Sequence, residues 1–242
     1  MRMGKEFSNR MASAKGFVRP DMRRAAEEAA RVVLDEIYRF RDELNERDSI
    51  EPNERAITEI IVLHLNGRGE ENRPSFVFQA ESMENRASGS SPAVDIGVFW
   101  RLPGRSSSHW PRVSAIEAKR LDASLPPLRS REYVVGHERG GRYVPCGGME
   151  RYKQGIHGSE LQNTVMLLGY IQSDDALTWW ERIGSWITEL AQEPGYVPAW
   201  TAEEQLKPIS TDRGVSVYES VLMRAEDSIG VFHLWIDLVN WN

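Results

Sequence analysis

Two periodicities alternate along this chain, and few architectures accommodate both. From Asp21 to about Asn45 the apolar residues Ala26, Ala30, Val33, Ile37, Phe40 and Leu44 recur at three- and four-residue steps, which predicts one amphipathic helix capped by Asp21. A break containing Pro52 precedes a second helix from Glu54 to about Leu65, closed by Gly67 and Gly69. Short apolar runs predict strands at Phe76–Ala80, Val94–Trp100, Val113–Arg120 and, buried throughout, Thr164–Ile171. A short helix at Met149–Ile156 and a longer one at Asp174–Gln192 follow the same logic, with closing strands around Val215–Met223 and Val231–Leu238. Residues 121–148, with Pro126, Pro127 and five glycines, read as irregular, and residues 1–20 read as a mobile or partner-ordered arm. Helices alternating with strands place the chain in the α/β class.

Composition excludes several classes. With 242 residues, 40% hydrophobic and 27% charged, the chain resembles an ordinary soluble protein that needs no covalent staples. Cys146 is the only cysteine, which rules out an internal disulfide framework and a multi-cysteine zinc site. No apolar run is long enough to span a membrane, and the first thirty residues lack the apolar core of a signal peptide, so the expected location is cytoplasmic. The net charge of −6 conceals a pattern. Residues 1–24 carry seven bases against two acids and residues 101–153 eleven against five, while twelve acids face four bases from Asp174 onward. A basic middle in an acidic chain can create a local positive surface, although a solvated face explains the same counts. Only five of the thirty basic residues are lysine, which singles out any lysine inside an apolar strand.

Lys119 is such a lysine. In the strand Val113-Ser-Ala-Ile-Glu-Ala-Lys119, Glu117 and Lys119 project to one side with Ala115, and Ile116 and Ala118 to the other. In this composition an acid two positions before a lysine arises about 0.7 times by chance, so the pair alone decides nothing. Asp95, at the head of the preceding strand, changes this. If the two strands form a hairpin, Asp95 and Glu117 both lie far from the turn, and their carboxylates can converge on a hard cation such as Mg²⁺. Glu54 falls on the buried stripe of its helix with Ile57, Ile61 and Leu65, either as a third member of the cluster or as an N-terminal cap, whereas Glu59 points to solvent.

Asp95 followed one strand later by Glu117-Ala118-Lys119, after a helix beginning at Glu54, resembles the PD-(D/E)xK nuclease superfamily over roughly residues 51–172. Val94 stands immediately before Asp95, with the proline at Pro92, a departure the family often shows. The resemblance implies a restriction-endonuclease-like mixed β-sheet flanked by helices, with residues 1–50 as an N-terminal arm and helix and residues 51–242 as the nuclease-like domain. It also implies a Mg²⁺-dependent phosphodiesterase, with Mn²⁺ a possible substitute, acting on nucleic acid and DNA first, as an endonuclease rather than an exonuclease. Asp95, Glu117 and the Ala118 carbonyl would hold the metal, Lys119 would orient the attacking water, and Glu54 would complete the catalytic set. Arg151 and Lys153, after the turn-forming Gly147-Gly148, resemble a basic helix of such families and, with Arg120, are the expected phosphate contacts. Specificity would come from loops, a homodimer or a partner subunit, and a role in prokaryotic defence follows by analogy alone.

Two other readings remain. The nuclease fold can serve as a catalytically silent protein-binding subunit, with the tryptophan-rich C-terminal third (Trp179, Trp180, Trp186, Trp200, Trp235, Trp241) as its interface, or the acidic face can mimic nucleic acid in a regulatory protein. The five histidines, 64, 109, 137, 157 and 233, show no metal-ligand spacing, Cys146 reads as a structural thiol, and His233 as core.

Overall fold

The computed structural model describes residues 21–44, 53–67, 76–85, 91–102, 104–161 and 164–239. The expected arm at residues 1–20, the break around Pro52, Gly69 and Trp241 lie outside them. Helix α1 (Met22–Leu44) buries Ala26, Ala30, Val33, Ile37, Phe40 and Leu44, the expected stripe, together with Ala25 and Ala29, and Asp21 caps it by accepting the Arg23 N–H at 3.0 Å. Helix α2 (Glu54–Gly67) is capped by Asn53, whose Oδ1 accepts the Ala56 N–H at 2.8 Å. After it come β1 (Phe76–Met83), β2 (Ala93–Trp100) and β3 (Arg112–Leu121), then a small hairpin of β4 (His137–Arg139) and β5 (Arg142–Val144). Helix α3 (Gly148–Lys153), β6 (Thr164–Ile171), α4 (Ala176–Gln192), β7 (Lys207–Asp212), β8 (Val215–Met223) and β9 (Ser228–Asp237) complete the described α-helices and strands.

The main sheet has seven strands in the order β1-β2-β3-β6-β9-β8-β7. Its first three strands form an antiparallel meander, β6 runs parallel to both β3 and β9, and β8 and β7 return antiparallel. The central β6 is buried from Val165 to Ile171, as a strand covered on both faces must be. Alternation along the strands splits the core in two. Ile116, Ala118, Met166 and Leu168 pack under α1 and α2, whereas Ala115, Val165 and Leu167 pack under α3 and α4 with Met149, Tyr152, Trp179 and Ile183. The fold is therefore mixed α/β with helices on both faces, and α1 shares its core with the sheet of residues 51–242. No described helix is long and apolar enough to cross a membrane.

Two expectations need correction, and one strand was not anticipated. Residues 121–148 are not wholly irregular, because β4 and β5 pair there around the Gly140-Gly141 turn, whose glycines take positive φ. Strand β7 carries no apolar alternation, since all six of its residues are exposed at the sheet edge, and so left no pattern to read. Among the described residues, the tryptophans of the C-terminal third do not form a surface: Trp179, Trp186, Trp200 and Trp235 are buried, and Trp180 is half-buried with its Nε1 donating to the Leu206 carbonyl at 2.8 Å. Aromatic rings of that size bury more apolar area than any other side chain, and the layer under α4 takes them.

Candidate active site

The site begins with a parting of two strands. β2 and β3 are registered from Phe99↔Arg112 to Ile96↔Ile116, and the ladder opens beyond that point. On β3 the Ala118 and Arg120 N–H groups then need other acceptors, because a strand points alternate N–H groups to one edge. Side chains supply them: Asp95 Oδ2 accepts from Ala118 N at 2.7 Å, and Glu54 Oε2 accepts from Arg120 N at 3.2 Å. Because Asn53 caps α2, Glu54 is released from that duty and reaches across to β3.

Lys119 Nζ lies at the centre of the opening. It donates to Glu117 Oε1 at 3.0 Å and to the Ala118 carbonyl at 2.8 Å, with Glu54 Oε1 at 3.8 Å and Asp95 Oδ2 at 4.0 Å. Glu117 is fully buried, yet both its oxygens are satisfied, since Oε1 also accepts from Arg151 Nη1 at 2.6 Å and Oε2 meets His157 Nδ1 at 2.9 Å. Burial alone would raise the Glu117 carboxyl, but the Lys119 ammonium and the His157 hydrogen bond overcome it and hold the group well below the usual range. Burial likewise opposes the charge on Lys119, and Glu117, Glu54 and Asp95 together raise it above the ordinary lysine range. Asp95 is pushed up to about 6, first by burial and then by the charge on Glu117, against the pull of Lys119 and the Ala118 N–H. An exposure gradient accompanies the charges: the side chain of Glu117 is 0% exposed, whereas Asp95 and Glu54 are 32% and 30% exposed. The outer pair faces whatever enters.

His157 was not singled out from sequence, and no local spacing marks it, since it stands forty residues from Glu117. A tertiary brace holds its loop. Glu84 pairs with Arg112 and accepts the Gly158 N–H at 3.1 Å, while Arg224 donates to the carbonyls of Tyr152 at 2.9 Å and Gly158 at 3.1 Å.

Among the expected phosphate contacts, Lys153 is corrected outright. It is 2% exposed, pairs with Glu204 at 2.5 Å, donates to the Met223 carbonyl at 2.9 Å and lies over the Trp200 ring. On a six-residue helix packed against the sheet, Arg151 and Lys153 project in different directions, and Lys153 points inward. Arg151 is not a free surface cation either, being bound to Glu117 with 27% of its side chain exposed. Arg120 is partly exposed, its Nη1 4.0 Å from Asp122. Gly147, expected to permit a tight turn, is required instead by close approach: a Cβ there would meet Val135 Cα at 2.4 Å.

The donor set suits a hard divalent cation, offering carboxylates from Asp95 and Glu117 and the carbonyl of Ala118. The Lys119 ammonium already occupies a position ringed by these oxygens, which marks the place as one that accepts positive charge. Among the described residues, the trio of His, Cys, Asp or Glu ligand atoms lying within 4.8 Å of one another is a different one, Glu132, His137 and Cys146. The three carboxylates around Lys119 stand further apart. The chain matches no protein-family model, no curated protein and no solved structure.

Proposed function

We propose that this chain is a divalent-metal-dependent nuclease of the restriction-endonuclease-like type, hydrolysing phosphodiester bonds, with DNA as the first candidate substrate. The observation that carries the reading is the meeting of Asp95, from β2, with Glu117 and Lys119, from β3, around one point with Glu54 and the Ala118 carbonyl. A scaffold has no need of two carboxylates and an ammonium in a cleft between splayed strands. Asp95, Glu117 and the Ala118 carbonyl would hold Mg²⁺ or Mn²⁺, which when bound would polarise a phosphate oxygen and acidify a water.

The rest of the chemistry falls to the chain itself. Glu117 and Ala118 aim the Lys119 ammonium, which can donate to the attacking water and to a non-bridging phosphate oxygen as charge develops there. Lysine suits this position because its compact ammonium approaches a single oxygen. Arg120, partly exposed, is a cation that could meet the scissile phosphate or its neighbours, whereas Arg151 is engaged with Glu117 and would reach phosphate only with the rest of its guanidinium. Glu54 pins the Arg120 end of β3, so the cleft keeps its width. A homodimer or partner subunit that supplies specificity, and a place in prokaryotic defence, belong to the same proposal.

The test is cleavage of plasmid, single-stranded DNA and RNA with Mg²⁺, Mn²⁺ or a chelator. Metal-dependent cleavage that Asp95→Asn abolishes supports the reading, and its absence on all three substrates defeats it. A silent, protein-binding role is the second reading, favoured by one feature: Glu117 is already saturated by Lys119, Arg151 and His157. On that reading calorimetry would detect no Mg²⁺ uptake that Asp95→Asn removes.

A further inference from the structure

We infer that Glu132, His137 and Cys146 form a second metal site, which takes a zinc-type divalent ion where the Lys119 cleft would take a hard one. The inference is independent of the nuclease reading. The three ligand atoms lie within 4.8 Å of one another, with Cys146 Sγ 3.3 Å from His137 Nδ1 and that nitrogen 3.6 Å from Glu132 Oε1. With metal–sulfur bonds of about 2.3 Å and metal–nitrogen or –oxygen bonds of about 2.0–2.2 Å, the ligand–ligand edges of a tetrahedral site come to about 3.3–3.6 Å. Two of the observed separations, 3.3 and 3.6 Å, lie close to those edges, and all three ligand atoms lie within 4.8 Å of one another.

A nucleophilic triad does not account for the same geometry. In a triad the imidazole uses one nitrogen toward the thiol and the other toward the carboxylate. Here Sγ and Oε1 both face Nδ1, which carries at most one proton and so serves one of them. A cation among the three satisfies all of them together. Cys146 binds a metal as its thiolate. A bound cation supplies the positive charge that deprotonates it. The mixture of thiolate, imidazole and carboxylate selects a borderline-soft ion over Mg²⁺.

The scaffold is built to hold these positions. Pairing with Val144, two residues before Cys146, puts His137 at the foot of the hairpin. Gly136 lies so close to the Val144 carbonyl that a Cβ there would meet it at 1.9 Å. Arg129 grips both oxygens of Glu132, at 2.5 and 2.7 Å, leaving a further lone pair on each and fixing the carboxylate as an outer partner fixes a ligand. The trio opens into a cleft of about 640 Å³ lined also by Leu128, Glu138 and Arg139, so a fourth position is open to water. A metal here would clamp the hairpin to Cys146, two residues before α3 and five before Arg151, which holds Glu117.

The experiment is titration of the reduced, full-length protein with Co²⁺, followed by its thiolate-to-metal absorption in the near ultraviolet. One equivalent should develop the band, and one equivalent of Zn²⁺ should bleach it. Cys146→Ser and His137→Ala, each confirmed folded by circular dichroism, should abolish the band, and Asp95→Asn should keep it. No band in the wild-type protein, or a band that survives in folded His137→Ala, overturns the site. Loss of the band in Asp95→Asn overturns its independence from the Lys119 cleft.

Discussion

Asp95 and Glu117 look equivalent in a motif but carry opposite loads in the fold. Asp95 titrates at about 6, above its unfolded value of 3.8, so its charged form is disfavoured in the folded protein. The stability cost appears as pH rises through that interval and is fully present above about 6. Asp95→Asn should therefore abolish cleavage at neutral pH while leaving the melting temperature equal to or above wild type, as differential scanning calorimetry would show. Glu117 is the reverse case. Its removal leaves the buried Lys119 ammonium and the Arg151 guanidinium without their shared partner, so Glu117→Ala should cost about 3–5 kcal/mol in urea unfolding as well as activity. Lys153 belongs to stability alone. Lys153→Ala should cost about 3–5 kcal/mol by stranding Glu204, and should leave the salt slope of DNA binding unchanged.

At the scale of elements, the site depends on where pairing stops. Period-two alternation assigns Glu117 and Lys119 to the face opposite Ile116 and Ala118, and the cores confirm that division. What alternation does not carry is the opening of the β2–β3 ladder beyond Ile96, since this depends on side chains that replace backbone partners. Glu54 is one of them, and two variants separate its roles. Glu54→Gln keeps an acceptor for the Arg120 N–H and should unfold near the wild-type urea midpoint. Glu54→Ala should lose about 1 kcal/mol from the missing bond. Both should lower cleavage if the carboxylate charge serves the site.

Across the whole molecule, buried polar chains join elements distant in sequence. Trp235 Nε1 donates to Tyr133 Oη at 2.7 Å, Tyr133 Oη lies 2.8 Å from His233 Nδ1, and His233 Nε2 lies 2.9 Å from Ser220 Oγ. With Trp235 donating to it, the tyrosine keeps its own proton for Nδ1, and a neutral imidazole then donates from Nε2 to Ser220. Burial holds His233 down at about 3, below its unfolded value of 6.5. The unfolded chain thus binds the extra proton between those values, and stability falls as pH drops through that window. His233→Gln should show a shallower decline of the urea midpoint between pH 6.5 and 4 than wild type does.

Local pattern was enough for α1, α2, β3 and β6, because each owes its form to apolar spacing or capping within its own segment, and enough to nominate Asp95, Glu117 and Lys119, because motif order survives in one dimension. It was not enough for His157, for the inward turn of Lys153 or for the approach of His137 to Cys146. Those depend on the hairpin, on the Glu84 and Arg224 braces and on a short helix pressed against the sheet. A side chain's partner is set by which backbones come within hydrogen-bonding distance, and for residues forty or more apart only the folded sheet brings them there.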